Sequence, residues 1–235
     1  MPQSLLGAPV EPCEPLSIPA RTVHRGRYVV LEPISPQRHA NGLFHASHHC
    51  AEAEAVWTYL PDSGPFSDTA EMETWLERCR QHPQFIFFAV RYVETDRLIG
   101  MVSYTNIEPE MHRLEVGFIW YAPEFQQTSV NTESVFLLLS EAFEHLGYRR
   151  VEWKCDALNQ RSRMAALRLG FSFEGVFRKH MIVNGRNRDT AWFSMTDDDW
   201  PQVRSNYLRW LYENDGVLSL SELNRSILFA SLLVV

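Results

Sequence analysis

The chain has 235 residues, 45% hydrophobic and 22% charged, which is ordinary globular composition and length enough for one domain with extensions. A formal net charge of -7 argues against a nucleic-acid surface, which calls for a basic excess. Cys13, Cys50, Cys79 and Cys155 are scattered without a CxxC pair, and no early apolar run is present. Together these point to reduced thiols in an intracellular, cytoplasmic protein.

Residues 1–23 hold five prolines and little apolar periodicity, so an extended N-terminal arm is expected there. Tyr28–Leu31 is a β-rich run closed by Pro33, and His39–Glu54 reads as a helix. An aromatic loop over 57–66 follows. Ser67 or Asp68 is placed to cap a helix through Gln81, whose Met72, Trp75, Leu76 and Cys79 share one face. Phe85–Tyr92 and Leu98–Asn106 read as a hairpin, and Leu114–Tyr121 as a third strand ended by Pro123. Thr132–Leu146 carries an apolar helical stripe stopped by Gly147. Arg150–Asp156 is expected as a strand, Gln160–Leu169 as a helix stopped by Gly170, and Phe177–Val183 with Asp189–Met195 as a hairpin. A last helix is expected after Trp200. Residues 201–235 form a C-terminal extension whose apolar end, 226–235, is about half the length of a membrane span. That end is expected to pack on the body or to join a homo-oligomer.

The connection from 121 to 133 leads a strand into a helix N-terminus, where unpaired backbone N–H groups converge. Such a terminus suits a pyrophosphate. The helix dipole contributes about 0.3–2 kcal/mol, so N–H hydrogen bonds must supply most of the grip. Thr128, Ser129, Asn131 and Thr132 are small or polar enough to let phosphates approach, and Gln126 and Gln127 add donors.

A strand, a proline, an acidic and an aromatic residue, then Gln126-Gln127-Thr128-Ser129-Val130-Asn131, resembles the acetyl-CoA loop of GNAT N-acetyltransferases, usually Q/R-x-x-G-x-G/A. Asn159 to Phe171 resembles the N-x-x-[SA]…LGF segment of the same family. Glu174 to Ser194 resembles the closing hairpin of its RimJ/RimL-like subgroup, as do Trp57–Pro61 and Gly64–Phe66. The resemblance covers residues 24–200. It implies an α/β fold with a mixed, largely antiparallel sheet flanked by helices. It also implies acetyl-CoA as co-substrate and direct transfer to a primary amine. The chain departs from the pattern at Ser129 and Asn131, where the family has glycine, or glycine or alanine, and at Ala166, where many members have a tyrosine acid. A serine at 129 restricts the backbone if that position needs φ > 0.

The resemblance assigns the acetyl and pantetheine amides to the backbone of Ile119, Trp120 and Tyr121, and the pyrophosphate to Gln126 through Thr132, Val130 included. Asn159 and Ser162 are assigned to the pantetheine arm, with Ser162 within reach of the sulfur. Glu115 is the candidate base that takes the amine proton, since an alkyl amine with pKa near ~10.4 is mostly protonated at neutral pH. Strand alternation would put Glu115, Gly117 and Ile119 on one face, opposite Val116 and Phe118. The alternative for Glu115 is a structural ion pair. Trp57, Tyr59 and Asp189 border the acceptor side in the family's layout, with core packing as the other reading for the aromatics. Asp189 would attract an ammonium, or pair with Arg178 or Arg188. The histidines show no metal spacing, and no metal is expected. Two acceptors stay open, a small-molecule amine, which is favoured, and a peptide or protein N-terminus. A non-catalytic CoA-binding module is the reading from another class.

Overall fold

The computed structural model describes residues 7–11, 14–213 and 218–224, so Cys13 and the apolar end 226–235 lie outside the described residues. Eight strands form one sheet: β1 (His24–Arg25), β2 (Val29–Pro33), β3 (Ile86–Tyr92), β4 (Leu98–Glu108), β5 (Arg113–Tyr121), β6 (Arg150–Asp156), β7 (Ser172–Val183) and β8 (Arg186–Thr196). Their spatial order is β1-β2-β3-β4-β5-β6-β8-β7. Every neighbouring pair is antiparallel except β5 with β6. That parallel step needs a crossover, and a helix, α4 (Ser129–Ser140), makes it.

Two apolar clusters cover the two faces. On one, α4, α5 (Gln160–Arg168) and α6 (Trp200–Leu208) pack on Leu114, Val116, Val151, Trp153 and Phe193. On the other, α1 (Pro36–His48) and α3 (Thr69–Gln81) cover Phe87, Ala89 and Met101. The short α2 (Ala51–Glu54) and a 3-10 turn lead into the aromatic loop.

Several element boundaries differ from those expected. The helix read over 39–54 begins earlier, at Pro36, which suits a first turn, and is split in two where Cys50 turns extended at φ -159. Asp68 rather than Ser67 caps α3, accepting from the Glu71 amide at 2.8 Å. α4 begins at Ser129, three residues earlier than the apolar stripe indicated, and continues through a π-helical turn toward Gly147 at φ 74. The last hairpin is longer than expected. Asn184 and Gly185, at φ 49 and 71, form a two-residue turn whose twist matches the strands, so pairing runs up to Val183–Arg186. β7 is an edge strand with largely exposed side chains, so apolar alternation could not mark its start.

Glu133 ties the sheet edge to α4. Its buried carboxylate accepts from the amides of Arg27, Tyr28 and Val29 at 2.7–2.9 Å, and from the Tyr212 hydroxyl at 2.7 Å. A Cβ at Gly26 would stand 2.3 Å from Glu133 Oε2, so that turn requires glycine. The segment after Trp200 joins the same core: Val203, Tyr207, Leu211 and Leu220 are buried there. The Asn224 side-chain amide donates to the Arg168 carbonyl at 3.0 Å.

Candidate active site

β5 and β6 pair only at Arg113–Arg150, Leu114–Val151 and Glu115–Glu152, and then part. A bulge causes the divergence. β4 pairs Ser103 with Gly117 but Met101 with Trp120, so β5 carries one extra residue there. Phe118 absorbs it at φ 47. The bulge also overturns the expected alternation. Ile119 packs with Val116 and Tyr121 on the α4 side, while Phe118 joins Trp120 on the α1 and α3 side. Beyond Glu115 the edge of β5 therefore has no partner strand on the β6 side, although the Tyr121 carbonyl accepts there from the Gln126 side chain. Tyr121 and Trp120 are themselves buried.

At the foot of this opening Glu115 is 4% exposed. Its Oε2 lies 2.8 Å from Lys154 Nζ and accepts from Asn106 Nδ2 at 2.7 Å. Lys154 in turn stands over the Trp192 ring at 5.3 Å. Burial raises the Glu115 pKa above the usual carboxylate value, while Lys154 and Asn106 pull it back. The ion pair weighed for Glu115 is thus present, yet only one oxygen is engaged. Oε1 accepts no hydrogen bond from the described residues and lies over Gly117, where a Cβ would approach it to 2.9 Å. Thr105 Oγ1 is 3.2 Å from the same point and is buried without a partner. Two oxygens without partners thus border a space left open by one glycine.

On the opposite face the loop after β5 makes a 3-10 turn, Pro123–Phe125, and then enters α4. Gln127 takes the left-handed conformation at φ 61, while Ser129 and Asn131 lie within the helix. Serine in place of glycine therefore costs no backbone strain. Thr128 occupies the cap position but its hydroxyl donates backward to the Phe125 carbonyl at 2.8 Å, so the helix start has no side-chain cap. The amides of Ser129, Val130 and Asn131 are left free for an anion. Gln126 spends one amide hydrogen on the Tyr121 carbonyl at 3.0 Å. Thr132 is fully buried, donating to the Thr128 carbonyl and accepting from Arg168 Nη1 at 3.0 Å, so its side chain faces inward rather than toward phosphates. A cleft of about 530 Å³ borders Gln127, Thr128 and Ser129, and its far wall is Trp210, Leu211 and Leu218. Residues beyond the stretch that resembles the family thus reach this loop.

The remaining residues separate into internal and cleft-bordering positions. Asn159 caps α5, accepting from the Ser162 amide at 3.1 Å. The Ser162 hydroxyl accepts from Trp153 Nε1 at 3.1 Å and lies in hydrogen-bonding reach of the Cys155 thiol. Trp57, 2% exposed, packs among Phe66, Trp75 and Trp120 as a core residue. Tyr59, 38% exposed, reaches from the aromatic loop to the Leu158 carbonyl at 3.5 Å. Asp189 accepts from the Lys179 amide and from Asn187 Nδ2, and pairs with neither Arg178 nor Arg188. Lys154 and Arg168 went unnoticed in the sequence, since neither belongs to a motif and each matters through a partner distant in the chain. Burial lowers the Arg168 pKa. Among the described residues no group of three or more His, Cys, Asp or Glu is placed for a metal ion, and no helix is long and apolar enough to cross a membrane.

The profile of the acetyltransferase (GNAT) domain matches residues 29–172. A GCN5-related N-acetyltransferase from Brucella melitensis is 40% identical and superimposes with a TM-score of 0.85, covering 90% of this chain and 97% of that one. The Bacillus subtilis protein YdaF, named provisionally as a ribosomal N-acetyltransferase, is 26% identical over 171 residues, 73% of this chain and 91% of its own. A ribosomal-protein-serine acetyltransferase of Escherichia coli is 24% identical over 147 residues, 54% of this chain and 82% of its own.

Proposed function

Because this chain belongs to the GNAT acetyltransferase family and is an acetyl-CoA-dependent acyltransferase, we propose that it moves the acetyl group directly onto a primary amine of a small molecule. Acetyl-CoA, when bound, supplies an acetyl thioester. The free amides of Ser129, Val130 and Asn131 hold its diphosphate, with Gln126 and Gln127 beside them. The unpaired edge of β5 at Ile119–Tyr121 holds the pantetheine and acetyl amide and carbonyl groups. Asn159 and Ser162 line the arm from α5, and Thr128 and Thr132 shape the loop rather than contact phosphate.

Glu115 and the α4 start lie on opposite faces of the sheet, and the parting of β5 from β6 connects them. The single observation that carries the catalytic reading is the unpartnered Glu115 Oε1 at that opening. This oxygen takes the proton of the incoming amine, directly or through a water beside Thr105. The nitrogen then bonds to the acetyl carbon, the carbon–sulfur bond breaks, and the thiolate leaves. A thiol pKa near ~8.5 makes that departure feasible without a dedicated acid, which suits a chain with Ala166 buried where an acid would stand.

A small acceptor is favoured by the Tyr59–Leu158 contact, which bridges the aromatic loop to the β6–α5 connection and narrows the approach for an extended chain. Asp189 is engaged within its hairpin and contributes there as a brace. A second reading, transfer to a protein N-terminus, is favoured by the names of the Bacillus and Escherichia relatives. Thiol release from acetyl-CoA across polyamines, amino acids, amino sugars and short peptides, with products identified by mass spectrometry, tests both. Small amines are expected to turn over, and turnover of peptides alone would select the second reading. Acetyl-CoA binding without transfer to any of them would leave a binding module.

A further inference from the structure

Strand alternation on β8 places Arg188, Thr190, Trp192 and Ser194 on the acceptor face, since Ala191, Phe193 and Met195 lie in the α4-side core. That face carries other arginines, and they are balanced. Arg113 Nη1 meets Glu152 at 3.0 Å, and Arg150 meets Glu152 at 2.8 Å and Glu174 at 2.8 Å. Arg188 is different. It is 6% exposed, its side chain makes no hydrogen bond or ion pair with any described residue, and its Nε is buried without a partner. The neighbouring carboxylate, Asp189, is turned to the other face and held by Lys179 and Asn187. Trp192 Nε1 is a second buried donor without a partner on the same face of β8.

A buried guanidinium nitrogen with no partner is a donor that a ligand can satisfy. An orphaned guanidinium donor specifies a ligand that accepts: a carboxylate or a phosphate. Its position specifies where that ligand sits. The gap between β5 and β6 opens from Glu152 toward Asp156, and Asp156 is the register partner of Thr190. Arg188 stands two residues further along β8, roughly 7 Å at the usual strand rise. It therefore borders the mouth through which an acceptor amine must reach the opening.

We propose that Arg188 binds an anionic group of the acceptor, so that the preferred substrate is an amine carrying a carboxylate or phosphate a few bonds away. This rests on the small-molecule acetyl-transfer reading and adds the acceptor's charge to it. Arg188 takes no part in the chemistry and acts by binding and orientation.

The test uses matched pairs with the full-length protein: β-alanine against β-alaninamide, phosphoethanolamine against ethanolamine, and an aspartyl dipeptide against its asparaginyl counterpart. The wild type is expected to favour the anionic member by about tenfold or more in kcat/KM, a difference typical of a charge-assisted contact. Arg188→Gln should erase that preference by raising KM for the anionic amine while leaving the neutral one within about twofold, and Arg188→Lys should restore part of it. Equal rates within every pair in the wild type would overturn the proposal, as would an equal loss on both members in the glutamine variant. Preference confined to the dipeptide pair would move the anion from a small molecule to a peptide's first side chain and overturn the small-acceptor part. If acetyl-CoA binds but nothing is acetylated, the acetyl-transfer reading fails, and calorimetry with β-alanine and β-alaninamide on the CoA-loaded protein decides this one separately. Tighter binding of the carboxylate, lost in Arg188→Gln, supports it, and no difference overturns it.

Discussion

Glu115 and Lys154 meet at 2.8 Å across two strands that part immediately beyond them. The pair closes the foot of the opening with one carboxylate oxygen and leaves the other facing it. A buried carboxylate with a raised pKa and only one of its oxygens engaged is a better base near neutral pH than an exposed one. The same pair that braces the sheet thereby presents the proton acceptor.

Glu115→Gln should lower turnover by about 10²–10⁴-fold, the range expected for loss of a general base, with acetyl-CoA affinity nearly unchanged. The deficit should shrink as pH rises toward the amine's own pKa, where free amine becomes abundant. Steady-state rates across pH, set beside calorimetry for acetyl-CoA, check it. A near-normal rate at neutral pH would leave Glu115 a purely structural partner of Lys154.

Lys154→Met removes the charge that holds the Glu115 pKa down, so that pKa should rise further. The base works only when ionised, so the acid limb of kcat/KM should move to higher pH. An unmoved limb in a folded variant would separate Glu115 from the titration that controls rate.

Ser129→Glu places a carboxylate in the first turn of α4, where the free amides converge beside the cleft. Helix formation should be undisturbed, since an acidic residue suits that end of the dipole. Acetyl-CoA binding should be abolished by repulsion from the diphosphate. Unchanged affinity by calorimetry would move the diphosphate elsewhere.

Leu220 is buried in the core shared with α4 and α6. Leu220→Ala should destabilise the fold by about 2–5 kcal/mol, as large-to-small core changes do. A denaturant titration measures this directly, and a change below about 0.5 kcal/mol would show that the segment around 220 is not part of the cooperative unit.

Glu32 is partly buried, and hydrogen bonds from Arg91 hold its pKa below the ordinary value of 4.5. Its contribution to stability is therefore present above pH 4.5 and is lost as pH falls through its lowered folded value. Glu32→Gln should flatten the fall of stability in that acid window and lower stability at neutral pH. Parallel acid-denaturation curves for the two proteins would show that the Arg91 contact contributes nothing.

Local signals determined much by themselves. The stripe of Val135, Leu138, Leu139 and Ala142 marked α4, and the β-rich run 150–156 marked β6 at its observed bounds. The strand-to-helix order around Gln126–Asn131 marked the start of α4 and, with three other motifs, the family. Each of these is written in adjacent residues, where period and turn chemistry suffice. What only the tertiary structure decided involves residues distant in the chain. The bulge at Phe118 arises from pairing with β4, and no periodicity within 113–121 announces it. It moved Ile119 to the opposite face and opened the sheet. The partners of Glu115 come from β4 and β6, the donor to Thr132 from α5, and the far wall of the cleft from Trp210, Leu211 and Leu218. Arg188 is one of several arginines in the sequence. Burial without a counter-ion singles it out, and burial is a property of the packed chain.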